Sequence, residues 1–496
     1  MKALLMSQPS TSGEQEVPRR RRPPQWRQIN FPRRTIYRLN PNPRKSRRER
    51  ALESMERVRL FVRSSTVWAL LAALLFTLQA HVSGALALLV AGVLLVFPAH
   101  IKDLYCHLDY DFGTDSAEFL STLAGATGVP IIPGNRLTIL NNGEQFYPAM
   151  LEAIAKAEFS ITMEQYIYSS GEIGRRFAMA IAERARAGVT VKLLLDAVGA
   201  AGIGKEVLGI LKEAGCEVAW FRPIRWYNLH RVNNRNHRKS LIIDGRAGFT
   251  GGAGFDDHWR GNAASPAEWR DLMLRMEGPG VAMLQTGFAF NWLETTGEVI
   301  TGPRYYPVLD AAGSVELQTV LSSPKSDYFT ASILYSLAIL CARQCIYIAN
   351  PYFIPTPQRI ELLSDAAARG VDVKVMIAGR HNDNWWARQN SVRLYGSLLE
   401  AGVEIYEYQP AMFHQKTMIV DSIWATVGTT NFDHRSFRLN EETNVCFYDP
   451  DLVEQLRDVF FADRQHCQKV DLVQWRRRGL VQRGAEQVAS LLQDQV

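Results

Sequence analysis

Disulfide and metal-binding signatures are what this chain most plainly lacks. Its six cysteines, at positions 106, 216, 341, 345, 446 and 467 of 496, form no Cys-x-x-Cys pair and none of the dense spacing of a secreted disulfide scaffold, so buried thiols are expected. Cys341 and Cys345 stand four apart, but no His or second Cys pair completes a tetrahedral site. Positive charge is also scarce over most of the chain. Residues 1–65 hold 17 Lys or Arg against 5 Asp or Glu, yet the whole chain is only +6, so the other 431 residues carry a net −6. That balance disfavours nucleic acid as the partner of the main body.

What is present divides along the chain. Residues 1–65, rich in Arg and Pro as in Pro18-Arg19-Arg20-Arg21-Arg22-Pro23-Pro24, cannot build a core and are expected to be a basic disordered arm, read as a solvated tail, as a brush drawn to anionic lipid, or, less in keeping with its sparse aromatics, as a nucleic-acid binder. Val67 to Ala99 carries no formal charge and marks residues 66–100 as a membrane segment. As one helix it would run roughly 50 Å at 1.5 Å per residue, beyond the ~30 Å of a hydrocarbon core. A helical hairpin turning near Gln79 to Gly84 fits better than one long span. The positive-inside bias keeps the arm cytoplasmic, and a hairpin keeps the rest there too. Residues 101–132 read as a linker.

Beyond it, strands and helices alternate. Leu137 to Leu140 reads as a strand, Asn141-Asn142-Gly143 as a turn and Phe146 to Ala157 as an amphipathic helix. Ser160 to Tyr168 is a strand, Arg175 to Ala187 a helix, and Val189 to Asp196 a buried strand. This pattern implies a sheet covered by helices on both faces. The order then repeats. Ala185-Arg186-Ala187-Gly188-Val189 matches Ala367-Ala368-Arg369-Gly370-Val371, Leu211 to Gly215 matches Leu398 to Gly402, and Tyr166 is matched with Tyr352. The expected fold is therefore α/β, with two duplicated lobes at 133–307 and 308–496, each a mixed sheet flanked by helices, related by a pseudo-two-fold axis.

The repeat is sharpest in His237-x-Lys239-x4-Asp244, which returns 177 positions later as His414-x-Lys416-x4-Asp421. Four apolar or small residues between Lys and Asp form a short buried strand, and His and Lys, two apart in extended chain, project from one face. An imidazole and an ammonium thus sit side by side, twice.

These paired segments resemble the phospholipase D superfamily, of the bacterial cardiolipin synthase type. The likeness covers residues 133–496 and includes Gly134-Asn135, Trp269-Arg270-Asp271, Gly278-Pro279, Asn350-Pro351-Tyr352-Phe353-Ile354-Pro355 and Asn431-Phe432-Asp433-His434-Arg435-Ser436. It implies one histidine as nucleophile, forming a phosphohistidine, with His237 preferred for that task, and the other as general acid and base. Lys239 and Lys416 would hold the phosphate oxygens. Asp271 and Glu442 match the acids that orient the histidines in such proteins, with Glu441 the alternative to Glu442; Asp244 and Asp421 belong to the motif and would brace it from behind. With two ammonium groups and an imidazolium available, neither metal nor cofactor is expected. Asn431 closes the second copy as an amide donor, whereas Gly254 stands at that place in the first, which points to unequal half-sites.

The resemblance implies a membrane-bound phosphatidyltransferase that joins two phosphatidylglycerols into cardiolipin and glycerol. A hydrolytic phospholipase D is the nearest alternative and a nucleic-acid phosphodiesterase a more distant one. Phospholipids and the membrane, probed from the cytoplasmic side of a bacterial inner membrane, are the expected partners; the oligomeric state stays open. At the carboxy end, Trp475-Arg476-Arg477-Arg478 and the apolar residues Leu480, Val481, Val488, Leu491 and Leu492 suggest an amphipathic helix docked on the second lobe.

Overall fold

The computed structural model describes residues 65–77, 83–88, 90, 104–224, 233–324 and 329–495. Apart from Ser65, the expected basic arm lies outside them, as does much of the apolar segment. Residues 57–496 form one compact unit.

The first half supplies strands β1 (Ile132–Asn141), β2 (Ser160–Gln165), β3 (Thr190–Asp196), β4 (Glu217–Phe221), β5 (Ser240–Ile243), β6 (Ala247–Gly251) and β7 (Leu272–Glu277). The second supplies β8 (Val315–Ser322), β9 (Cys345–Ala349), β10 (Asp372–Ala378), β11 (Glu404–Tyr408), β12 (Thr417–Val420), β13 (Trp424–Gly428), β14 (Glu442–Tyr448) and β15 (Cys467–Lys469). A sheet per lobe was the expectation; instead the strands join in one order, β15-β11-β10-β9-β12-β13-β14-β8-β1-β7-β6-β5-β2-β3-β4. Read outward from the β8–β1 junction, the two halves follow the same path, with β15 added at one edge.

The junction is irregular. Only Ile132↔Leu317 and Asn135↔Val315 pair across it, with a register shift between them. Asn135 bonds the seam together: its Nδ2 donates across it to Val315 O at 3.3 Å and within β1 to Ile132 O at 2.7 Å, while its Oδ1 accepts from Gly280 N at 2.7 Å. Below the seam lies an apolar cluster shared by both halves, in which Phe288 and Trp292 belong with Ile419, Val427 and Phe460. On the other side each half has its own cluster, one around Phe146, Phe177 and Phe255, the other around Tyr335, Trp424 and Phe432. Burial of a common core explains why two repeats make one body.

Local readings differ from the outcome in three places. The expected turn at Asn141–Gly143 is the start of the Asn142–Ala155 helix, with Asn142 at φ 57°, in the left-handed region that asparagine tolerates better than most residues. Strand register aligns Glu164 with Ser240 and Ala349 with Thr417, so Tyr352 is equivalent to Ile167, one place from Tyr166. The linker is structured: the Ala117–Thr127 helix, capped by Ser116, packs Phe119 against Trp424 and Tyr448 of the second half. The expected membrane segment lies largely outside the described residues, and among those residues no helix is long and apolar enough to cross a membrane. The Ser65–Thr77 helix has 13 residues, roughly 20 Å at 1.5 Å per residue.

Candidate active site

Both His-x-Lys segments lie just before a short buried strand, β5 or β12, in the middle of its half-sheet. Each is clasped by the opposite half. His237 N donates to Glu441 O at 3.0 Å and Glu441 N to Arg235 O at 2.9 Å. Symmetrically, His414 N donates to Arg270 O and Arg270 N to Met412 O, both at 2.8 Å. These one-residue parallel ladders deliver the next residue of each clasp, Glu442 or Asp271, to the histidine across the seam. His237 Nδ1 is 3.0 Å from both Glu442 oxygens, and His414 Nδ1 is 2.8 Å from Asp271 Oδ2. The acids are therefore exchanged between the halves. With Nδ1–H given to the carboxylate, Nε2 keeps its lone pair for phosphorus or a proton.

Glu441 is accounted for elsewhere. Its carboxylate accepts from Arg222 and Arg238, each at 3.2 Å, and from Ser323 at 2.9 Å.

The four basic side chains are almost enclosed: His237 is 8% exposed, His414 4%, Lys416 1% and Lys239 0%. Burial pushes the His237 imidazole down to about 4 against the pull of Glu442, and pushes His414 down as well, with Lys416 adding to the effect. Burial lowers the Lys239 ammonium to about 7, with repulsion from Lys416 contributing, and Lys416 to about 8. Burial opposes charge on Glu442 too, yet His237, Thr429 and Lys239 together hold it below the usual carboxylate value. The pocket is thus short of negative charge and suits a phosphodiester anion, which in turn would favour the charged forms of these bases. Lys239 Nζ donates to His237 O at 3.0 Å and sits 5.5 Å from the Tyr166 ring centre. Lys416 Nζ reaches His414 O at 2.5 Å and lies 3.2 Å from His414 Nε2.

Asp244 and Asp421, grouped by motif with the catalytic residues, do not face the histidines. They stand at the far ends of β5 and β12, roughly 16 Å along the chain from Lys239 and Lys416 at 3.3 Å per residue. There Asp244 accepts from the amides of Glu158, Phe159 and Ser160 at 2.9, 2.7 and 2.7 Å. Asp421 accepts from Arg343, Gln344 and Cys345 at 3.1, 2.7 and 3.1 Å, and from the Thr114 hydroxyl. Both bind the start of the neighbouring antiparallel strand, β2 or β9, behind the motif, as braces do.

Asn431 is buried, and its Oδ1 has no hydrogen-bond partner. At the matching Gly254 a Cβ would lie 2.9 Å from Ile167 Cβ and 3.3 Å from the Trp259 ring, so an asparagine is sterically barred. Trp259 uses the space. Its Nε1 donates to Asp271 Oδ2 at 2.8 Å, and its ring is 5.3 Å from that of His414. The second half holds its acid differently, with Thr429 Oγ1 donating to Glu442 Oε2 at 2.5 Å and Asn440 Nδ2 to Oε1 at 3.2 Å. Trp259 and Thr429 were not singled out from the sequence. Thr429 sits in the Gly-Thr-Thr-Asn loop next to Asn431, whereas Trp259 carries no local signal. Tyr166 lies edge-on to His237 at 5.2 Å and Tyr352 edge-on to His414 at 6.4 Å, reaching equivalent rings from non-equivalent positions.

A duplicated α/β sheet whose halves trade acids around two His-Lys pairs is the arrangement of a phospholipase D-like phosphodiester-transferring enzyme. Comparison with known proteins agrees. The model of the cardiolipin synthase, PLD-like domain matches residues 150–263 and 337–464. A cardiolipin synthase of Geobacillus kaustophilus is 35% identical over 366 residues, 73% of each chain. A probable cardiolipin synthase of Bacillus subtilis is 35% identical over 360 residues, 72% of this chain and 71% of its own. Among solved structures, phosphatidylserine synthase of Haemophilus influenzae superposes with a TM-score of 0.60 at 14% identity, covering 76% of this chain and 99% of that one, a likeness of fold. The chain belongs to the cardiolipin synthase family of phospholipase D-like enzymes.

Proposed function

We propose that this enzyme makes cardiolipin from two phosphatidylglycerols, releasing glycerol, by two successive displacements at one phosphorus. His237 Nε2 attacks the phosphodiester of the first lipid, forming a P–N bond as the P–O bond to glycerol breaks, and His414 gives its proton to the departing alkoxide. The hydroxyl of a second phosphatidylglycerol then passes its proton to His414 and attacks phosphorus, releasing His237. Lys239, Lys416 and Asn431 carry the non-bridging oxygens through both transition states, while Glu442 and Asp271 hold the ring tautomers. The observation carrying this reading is the crossed pair of dyads around two buried ammonium groups. Transfer rather than hydrolysis is favoured by the enclosure of all four bases, which disfavours water as acceptor.

A membrane location fits the same reading. The Ser65–Thr77 helix leaves Leu70, Leu71, Leu74 and Phe76 exposed, as the 83–88 stretch leaves Leu86 and Leu88. Ala72 and Ala87 are buried, and Gly84 lies against the Phe76 ring, which supports a hairpin with an apolar exterior and a cytoplasmic catalytic part.

The test is to give the purified chain labelled phosphatidylglycerol in mixed micelles. Cardiolipin with free glycerol is expected. Phosphatidic acid alone would make it a hydrolase, and inertness on lipid with cleavage of DNA would defeat the lipid reading altogether.

A further inference from the structure

The Leu480–Ser490 helix is docked inside out. Its apolar side chains form one stripe, since Leu480, Val481, Val488 and the following Leu491 fall on one side of a 3.6-residue helix. That stripe faces away from the protein: Leu480 is 85% exposed, Val481 89%, Val488 52% and Leu491 59%. The side packed on the Trp385–Glu400 helix is polar. Glu486 is buried and accepts from Arg478 at 2.7 and 3.0 Å, Gln482 Nε2 donates to Gln389 Oε1 at 2.6 Å, and Asn390 Nδ2 donates to the Ala489 carbonyl at 2.9 Å. The segment is anchored instead by Trp475, whose ring fills the space a side chain at Gly396 would need and whose Nε1 donates to Val392 O at 2.7 Å. A helix held by hydrogen bonds on its polar face, with its apolar face turned outward, is placed to put that face into another medium.

We infer that the stripe Leu480, Val481, Val488 and Leu491 is a membrane-docking surface that seats the cleft on an anionic phospholipid bilayer. Three further observations support lipid as the occupant. Arg483 lies next to the stripe on the helix and donates to the Arg476 carbonyl, while Arg476 itself pairs with Glu400, so apolar surface and the positive charge of Arg483 occur together, as at a bilayer interface. Trp385 and Trp386, 49% and 39% exposed, begin the helix on which the stripe-bearing helix packs, and Asn390 bonds both the Trp386 carbonyl at 3.1 Å and that of Ala489; indoles favour the headgroup region. The final turn ties this unit to the approach to the catalytic motif, because Gln495 accepts from Asn233 Nδ2 at 2.6 Å and from Arg435 Nη1 at 3.1 Å.

The experiment uses the full chain reconstituted in vesicles of phosphatidylethanolamine and phosphatidylglycerol, with Val488→Cys carrying an environment-sensitive thiol dye and the chain lacking that cysteine as background. A blue-shifted emission quenched by lipids brominated near the headgroup is expected, whether or not the enzyme turns over, so this outcome is independent of the proposed reaction. Water-like emission would overturn the inference. So would a blue shift that follows protein concentration and ignores brominated lipid, which would make the stripe a contact between two copies. A triple variant, Val481→Glu, Val488→Glu and Leu491→Glu, should melt as the parent does and lose about tenfold or more of its turnover on vesicles while keeping turnover on short-chain monomeric lipid. Equal loss on both substrates would also count against the surface.

Discussion

Glu442 and His237 lie 205 positions apart, on opposite halves of the chain, and yet both carboxylate oxygens stand 3.0 Å from the imidazole Nδ1. The bond fixes the tautomer that leaves Nε2 free. Glu442→Gln keeps the shape and removes the charge, and Asp271→Asn does the same for His414. Each should lower kcat by about 10²- to 10⁴-fold with little change in KM. Intact turnover in either variant would refute an orienting role.

The donors behind the acids make a finer test. Trp259→Phe removes the indole N–H to Asp271 and leaves a smaller aromatic ring in its place; Thr429→Val keeps the volume and loses the hydroxyl to Glu442. A hydrogen bond to a charged group contributes about 1.5–3 kcal/mol, so kcat should fall by about tenfold or somewhat more in each. Combining Trp259→Phe with Asp271→Asn should add almost nothing, because both act through the same histidine.

Asp244 and Asp421 are predicted to behave as framework. Replacing Asp421 by Ala strips the acceptor from three backbone amides and the Thr114 hydroxyl, at about 1–3 kcal/mol for each buried group left unsatisfied. The melting temperature should drop sharply, while the folded fraction at low temperature retains parental kcat. A stable but inactive variant would return these aspartates to the chemistry.

The buried ammonium groups favour function over stability. Lys239, lowered to about 7 by burial, is a charge the empty site holds at a cost. Lys239→Met should abolish turnover while stabilising the fold by about 1–3 kcal/mol. Chemical denaturation at pH 6 would check it, and a destabilised variant would contradict it.

His237 imposes a pH dependence of opposite use. Its folded value of about 4 lies below the ordinary 6.5 or so, so between these values the unfolded chain binds more protons and stability rises with pH. The contribution is complete above about pH 6.5 and lost as pH falls to about 4, amounting to about 3 kcal/mol at 1.36 kcal/mol per unit. Denaturation midpoints for the parent and His237→Gln should converge as pH falls through that window. Parallel curves would exclude the imidazole as their source.

Much of this was legible because the determinants are local. His237 and Lys239 project together for reasons of strand geometry, and the helix around Phe177 and Ile181 follows from spacing. The exchange of Glu442 and Asp271 was not, since a residue list says which acids follow each motif but not which histidine they meet; that is decided by the β1–β8 seam and the clasps at Arg235 and Met412. The one-residue offset of Tyr352 from Tyr166 escaped for a related reason, because matching residue types overrode a register that only hydrogen bonds fix. Trp259 carries no local signal, because its contribution is an indole N–H delivered to Asp271 by the fold. The docked helix at Ala117–Thr127 was missed because its partners, strand residues such as Trp424 and Tyr448, lie about three hundred positions downstream.

The exchange of acids also sets a schedule for the ribosome. His237 leaves the exit tunnel about two hundred residues before the carboxylate it meets, and part of the shared core, including Phe460, follows later still. A nascent first half therefore holds His237 without its carboxylate partner, and the dyad forms only once the strand bearing Glu442 has been made.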